Sequence, residues 1–175
     1  MKKLYTTFKY FVNFLVFSIV INLLTKVASL SQLVIQRFNL SHSSTDLDSS
    51  SINWLLTITT IILLSYMLWL LLKFRKAIYD AKENSIFTKK NSIIFKLVGK
   101  GLILYSVFIF ILRIVENSLS KVAVLGESTA YNFGRKVGAA LGDRIPLLII
   151  AFFLLIVAQL IKEGYQLKDE NDLTI

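Results

Sequence analysis

Residues 49–72 read SSSINWLLTITTIILLSYMLWLLL, with no charge anywhere in the run. About 20 mainly apolar residues carry a helix across the roughly 30 Å hydrocarbon core of a bilayer. In lipid, a backbone that leaves water must satisfy its own N–H and C=O groups, so such a run folds as a helix. Three more blocks accompany it. Residues 10–25, YFVNFLVFSIVINLLT, are uncharged between Lys9 and Lys26, and VASLSQLVI carries the helix on towards residue 35. Residues 93–115 are densest in GLILYSVFIFILRIV, and residues 145–161 read IPLLIIAFFLLIVAQLI. The expected class is all-α: a single polytopic membrane domain with four transmembrane helices over about 10–33, 50–72, 93–115 and 145–162.

Hydrophobic residues make up 55% of the 175, and charged residues only 18%. They lie in blocks instead of helical stripes, which disfavours a soluble bundle with a rich core. The basic start and first apolar run also resemble a secretory leader. No small-residue cleavage site closes that run and further spans follow, so it is expected to stay as a membrane helix. The chain has no cysteine, which excludes disulfides, thiolate chemistry and cysteine-based zinc sites.

Orientation follows from the basic residues. Lys2, Lys3 and Lys9 precede the first span; Lys73, Arg75, Lys76, Lys82, Lys89, Lys90, Lys96 and Lys100 lie between the second and third; Lys162 and Lys168 follow the fourth. Against these thirteen, the other side has seven: Lys26, Arg37, Arg113, Lys121, Arg135, Lys136 and Arg144. Both termini are therefore expected in the cytoplasm. The net charge of +9 is spent on flanking the spans, where it attracts anionic headgroups. No recognition helix or stacking platform accompanies it, so direct nucleic-acid binding is not expected.

The first external loop holds the one histidine, His42, near Asp46 and Asp48 in a serine-rich stretch, a solvated loop more than a metal site. In the basic cytoplasmic loop, residues 73–92, Phe74, Ala77, Ile78 and Ala81 recur at helical spacing and extend the second span towards Lys82. Thr88 is placed to cap the next helix, with Phe87 in the position of a hydrophobic staple and Asn91 in the first turn. The external segment 117–144 is expected to be amphipathic, and Gly134, Gly138 and Gly142, four apart, are candidates for close helix packing. Arg113 and Glu116 can pair on one helix face near the membrane boundary. Asp143 is a candidate cap for the fourth span, and Pro146 fits its first turn.

Nothing in the chain has the pattern of an enzyme. There is no HExxH, no phosphate loop and no dinucleotide fingerprint, and with the one histidine in a serine-rich loop no Ser–His–Asp arrangement is supported. No cofactor or metal is expected.

Beyond the last block the chain ends in KEGYQLKDENDLTI. Gly164 is expected to end the helix, and the acidic tail, 164–175, to fold back on the basic loop with Leu167, Leu173 and Ile175 as apolar anchors. Glu163, Gly164, Leu167, Glu170, Asn171, Asp172, Leu173, Thr174 and Ile175, with Phe87, Thr88 and Asn91 in FRKAIYDAKENSIFTKKN, resemble the bacterial membrane family known as domain of unknown function 2975. That family closes with Glu-Gly after the last span, then a leucine and Glu-Asn-Asp-Leu-Thr followed by Val or Ile. Its cytoplasmic loop often carries Gly-x-Pro-Phe-Thr. Here Asn84, Ser85 and Ile86 precede Phe87, so the turn differs.

The resemblance implies a four-span inner-membrane protein with no established activity. Genes of the family often neighbour one for a small helix-turn-helix regulator. The leading expectation is a non-enzymatic docking, sensory or regulatory protein whose partners are lipid headgroups, a cytosolic regulator and other copies of itself. The alternative is a small-solute transporter, an oligomeric channel or a protector against a membrane-active toxin. Its route would pass Asn22, Arg113, Glu116 and the Gly134, Gly138, Gly142 segment.

Overall fold

Each apolar block is drawn out into a helix longer than the block itself. The computed structural model describes residues 2–39, 47–83, 86–119 and 129–173. The helices are α1 (Lys2–Asn39), α2 (Leu47–Glu83), α3 (Lys89–Leu119), α4 (Thr129–Gly142) and α5 (Ile145–Leu173). At about 1.5 Å per residue, α1, α2 and α3 all exceed the hydrocarbon thickness, so their ends stand in the headgroups or beyond. Among the described residues, four helical stretches are long and apolar enough to cross a membrane: Thr6–Ile35, Asn53–Asp80, Lys89–Ser118 and Ala130–Asn171.

The helices stand in a row. α1 packs on α2, α2 on α3, and α3 on both α4 and α5, with no other pair in extensive contact among the described residues. α3 is central: a third (33%) of its most apolar window is buried, against 6% for α1. Phe11, Phe14 and Phe17 on α1, and Phe152, Phe153 and Ile156 on α5, are exposed. Lipid is the apolar solvent for these faces, so leaving them uncovered by protein is no burden.

The seams between neighbours step alternately by three and four residues, the spacing that keeps one face turned towards a partner helix. α2 offers Leu63, Met67, Leu70, Phe74 and Ala77; α3 offers Phe95, Val98, Leu102, Tyr105 and Ile109; α5 offers Leu147, Ala151, Leu154, Ala158 and Ile161. Close approach comes from glycine. A Cβ on Gly99 would stand 2.9 Å from Leu155 and 3.0 Å from the Ala151 carbonyl oxygen. One on Gly101 would meet Leu70 at 2.6 Å and the Tyr66 hydroxyl at 2.9 Å. Gly99 thus seats α5 and Gly101 seats α2. Between lipid-facing helices, where water gives no drive to associate, this contact of small residues is the main attraction.

α4 and α5 are nearly one helix. Only Asp143 and Arg144 separate them, and both helices pack on α3 in a single antiparallel register. The Ser92 hydroxyl donates to the Ala158 carbonyl oxygen, Gly99 faces Ala151, and Lys136 donates to the Asn117 carbonyl oxygen. Pro146 explains the interruption. It has no N–H to offer the carbonyl of Gly142, four residues back, and its ring would collide with that group. The expected Asp143 cap is corrected here. The Asp143 N–H bonds to the Ala139 carbonyl oxygen, so Asp143 finishes α4, while the Arg144 carbonyl accepts from Leu148 and opens α5.

Candidate functional site

Two places gather polar side chains from separate helices. The first lies where the loop after α2 meets α5. The Asn91 N–H donates to the Thr88 hydroxyl oxygen at 3.2 Å, forming the expected cap. The Asn91 side-chain amide reaches back to the Ile86 carbonyl oxygen at 3.1 Å, so one buried residue ties both strands of the turn. Next to it, Ser92 is bonded at 2.8 Å to the Ala158 carbonyl oxygen, fixing the turn to α5. Lys90 pairs with Asp80 at 2.7 Å, bridging the end of α2 to the start of α3.

Phe87 does not act as a staple within its own helix, since the residue at the matching position is Ser92. Its ring lies on Gly164 instead: a Cβ there would stand 2.7 Å from the Phe87 Cε1. This contact also corrects the reading of Gly164 as a helix end. α5 runs through it to Leu173, because Gly164 supplies the space the ring occupies. The tail therefore does not fold back as a separate strand over the basic loop. Glu163, which accepts from the Gln159 amide at 2.7 Å, Leu167, Glu170 and Asn171 are exposed on a continuing helix. Asp172 and Leu173 belong to its last turn; Thr174 and Ile175 lie outside the described residues, as do His42 and Asp46.

The second place is a cleft of about 270 Å³ towards the opposite ends of the helices, away from that turn. α1 contributes Asn22 and Lys26; α2 contributes Leu56, Thr57, Thr60 and Leu64. α3 contributes Tyr105, Ile109, Leu112, Arg113 and Glu116, and Arg144 enters from the α4–α5 break. Arg113 and Glu116 stand 3.4 Å apart, both side chains more than half exposed. The Thr57 and Thr60 hydroxyls each donate at 2.8 Å to a carbonyl one turn back, on Asn53 and Leu56. The Arg144 Nε is buried without a hydrogen-bond partner among the described residues. Of the groups named for a solute route, the cleft collects Asn22, Arg113 and Glu116 but not the glycine row. Among the described residues, a Cβ on Gly134, Gly138 or Gly142 would meet nothing within 4 Å, so that face of α4 is turned from the described helices. Among the described residues, no group of three or more His, Cys, Asp or Glu side chains is placed to hold a metal ion.

Ser92, Gly99, Gly101, Ala151 and Ala158, which hold the junction and the seams, and the buried Nε of Arg144 are not marked by the sequence pattern. Two glycines inside a span, and a proline four residues after a glycine, were the available signals.

Four long apolar helices, with a capped and hydrogen-bonded turn joining the middle pair, define a polytopic helical membrane protein. Residues 40–175 match the model of a family described as protein of unknown function (DUF2975), and the chain belongs to that family. No curated protein and no solved structure matches it.

Proposed function

We propose that the protein is a non-enzymatic membrane protein that presents the end of α5 to a soluble partner in the bacterial cytoplasm. The observation behind this reading is the packing of Phe87 on Gly164, with Asn91 and Ser92 anchoring the turn beneath it. That junction ties the membrane helices to the stretch beyond Gly164, so a change in helix packing moves the exposed Glu163, Leu167 and Glu170 together. An acidic helix with an apolar leucine on its surface suits a partner with basic groups around an apolar pocket. In the orientation set by the basic residues, both termini and this helix face the cytoplasm. α4 then brings the fourth crossing in from outside, with exposed Tyr131 and Phe133 in the interfacial aromatic belt.

A photocrosslinking residue in place of Leu167, in the full chain in native membranes, tests this. A discrete adduct with one cytosolic protein, lost on truncation after Gly164 while membrane insertion persists, is the expected result. Unchanged partners after that truncation would reject the role.

A further inference from the structure

We infer that the cleft between α1, α2 and α3 is a binding site for a phosphate-type oxyanion. Lys26, Arg113 and Arg144 bring three cations to it against the single acid Glu116. The Arg113–Glu116 pair is exposed and holds one of those charges in part; Lys26 and Arg144 remain over. Arg144 carries the argument furthest. Its Nε is buried with no acceptor among the described residues; an unpaired buried donor is costly, and an oxyanion would supply the missing oxygen. The planar fork of an arginine matches the geometry of a phosphate or carboxylate edge.

The rest of the lining favours charge over neutral polarity. Thr57 and Thr60 direct their hydroxyl hydrogens into their own helix, and the Asn22 amide donates to the Ser18 carbonyl oxygen at 2.9 Å. Beside the Tyr105 hydroxyl and the second amide hydrogen of Asn22, the donors lining the space are the cations Lys26, Arg113 and Arg144, and their positive charge suits an anion better than a sugar or a neutral amide. Leu56, Leu64, Ile109 and Leu112 form apolar walls. The cleft lies across α2, where α1 and α3 make no extensive contact with each other among the described residues. The same chemistry can come from a phospholipid headgroup entering from the bilayer or from a free phosphate in water. The inference does not rest on the proposed partner at the far end of α5.

The test uses the full chain in an uncharged detergent. Thermal unfolding is followed on titrating phosphatidylglycerol, phosphatidylcholine or inorganic phosphate. Phosphatidylglycerol, but not phosphatidylcholine, is expected to raise the unfolding temperature. Arg144→Gln and Lys26→Gln should each weaken half-saturation roughly tenfold, the loss of one charge-assisted contact. Lys162→Gln, an equal charge change away from the cleft, should leave it unaltered. Stabilisation by inorganic phosphate alone identifies a soluble anion as the source; its absence with phosphatidylglycerol active identifies the lipid. Lys26 is exposed, so its variant keeps the test valid even if Arg144→Gln fails to fold. No response to either anion, or an equal response in Lys26→Gln and Lys162→Gln, overturns the site.

Discussion

A glycine inside a helix costs roughly 1 kcal/mol relative to alanine, and Gly164 sits nine residues before the end of α5. The Phe87 ring resting on it gives that position its reason. Gly164→Leu should therefore drive the ring off and lower stability by about 1–3 kcal/mol, the usual range for overpacking, read as a lower unfolding temperature by circular dichroism. Adding Phe87→Ala makes room, so the double variant should recover most of the loss; simple additivity would refute the contact. The same pair shows where residue-level reading reaches its limit. Thr88 and Asn91 declare themselves because a cap is local and its geometry is written in three consecutive positions. Gly164 misleads, because a glycine after an apolar run has the form of a helix stop, and the ring that holds it comes from 77 positions earlier in the chain.

At the level of elements, the helices themselves were legible, since uncharged runs long enough to cross a bilayer have few alternatives. Their pairing was not. The spans are apolar on every side, so no polar face marks which side meets protein and which meets lipid. The seam through Ala151, Leu154 and Ala158 emerges only against Gly99 and Ser92. The fourth crossing shows the same limit: Asp143 and Arg144 look like the edge of an external segment, yet both lie between two helices packed on α3. Pro146→Ala should restore an N–H opposite the Gly142 carbonyl and let α4 and α5 join. Hydrogen exchange at Ile145 and Leu147 should then slow relative to the wild type. Unaltered exchange there would mean that the break is held by something other than the proline.

Across the whole molecule, the distribution of basic residues predicts a topology that labelling can decide. The natural chain has no cysteine, so single cysteines report without background. Cysteines replacing Lys76 and Asn171 should be blocked by a membrane-impermeant maleimide only after the inner face is opened, whereas one replacing Tyr131 should react in intact cells. Reaction of the Lys76 and Asn171 replacements in intact cells, with the Tyr131 replacement reacting only after the inner face is opened, would reverse the proposed orientation. The row of helices carries a further consequence. Because each helix leans chiefly on its neighbour, α1 with α2 and α3 with α4 and α5 form two self-contained halves that meet along one seam, through Leu70 and Gly101. A protein divided this way behaves like two parts with a mortise between them. Residues 1–84 and 85–175, made as separate chains in one cell, should find each other in the bilayer and purify together, and Gly101→Leu should keep them apart.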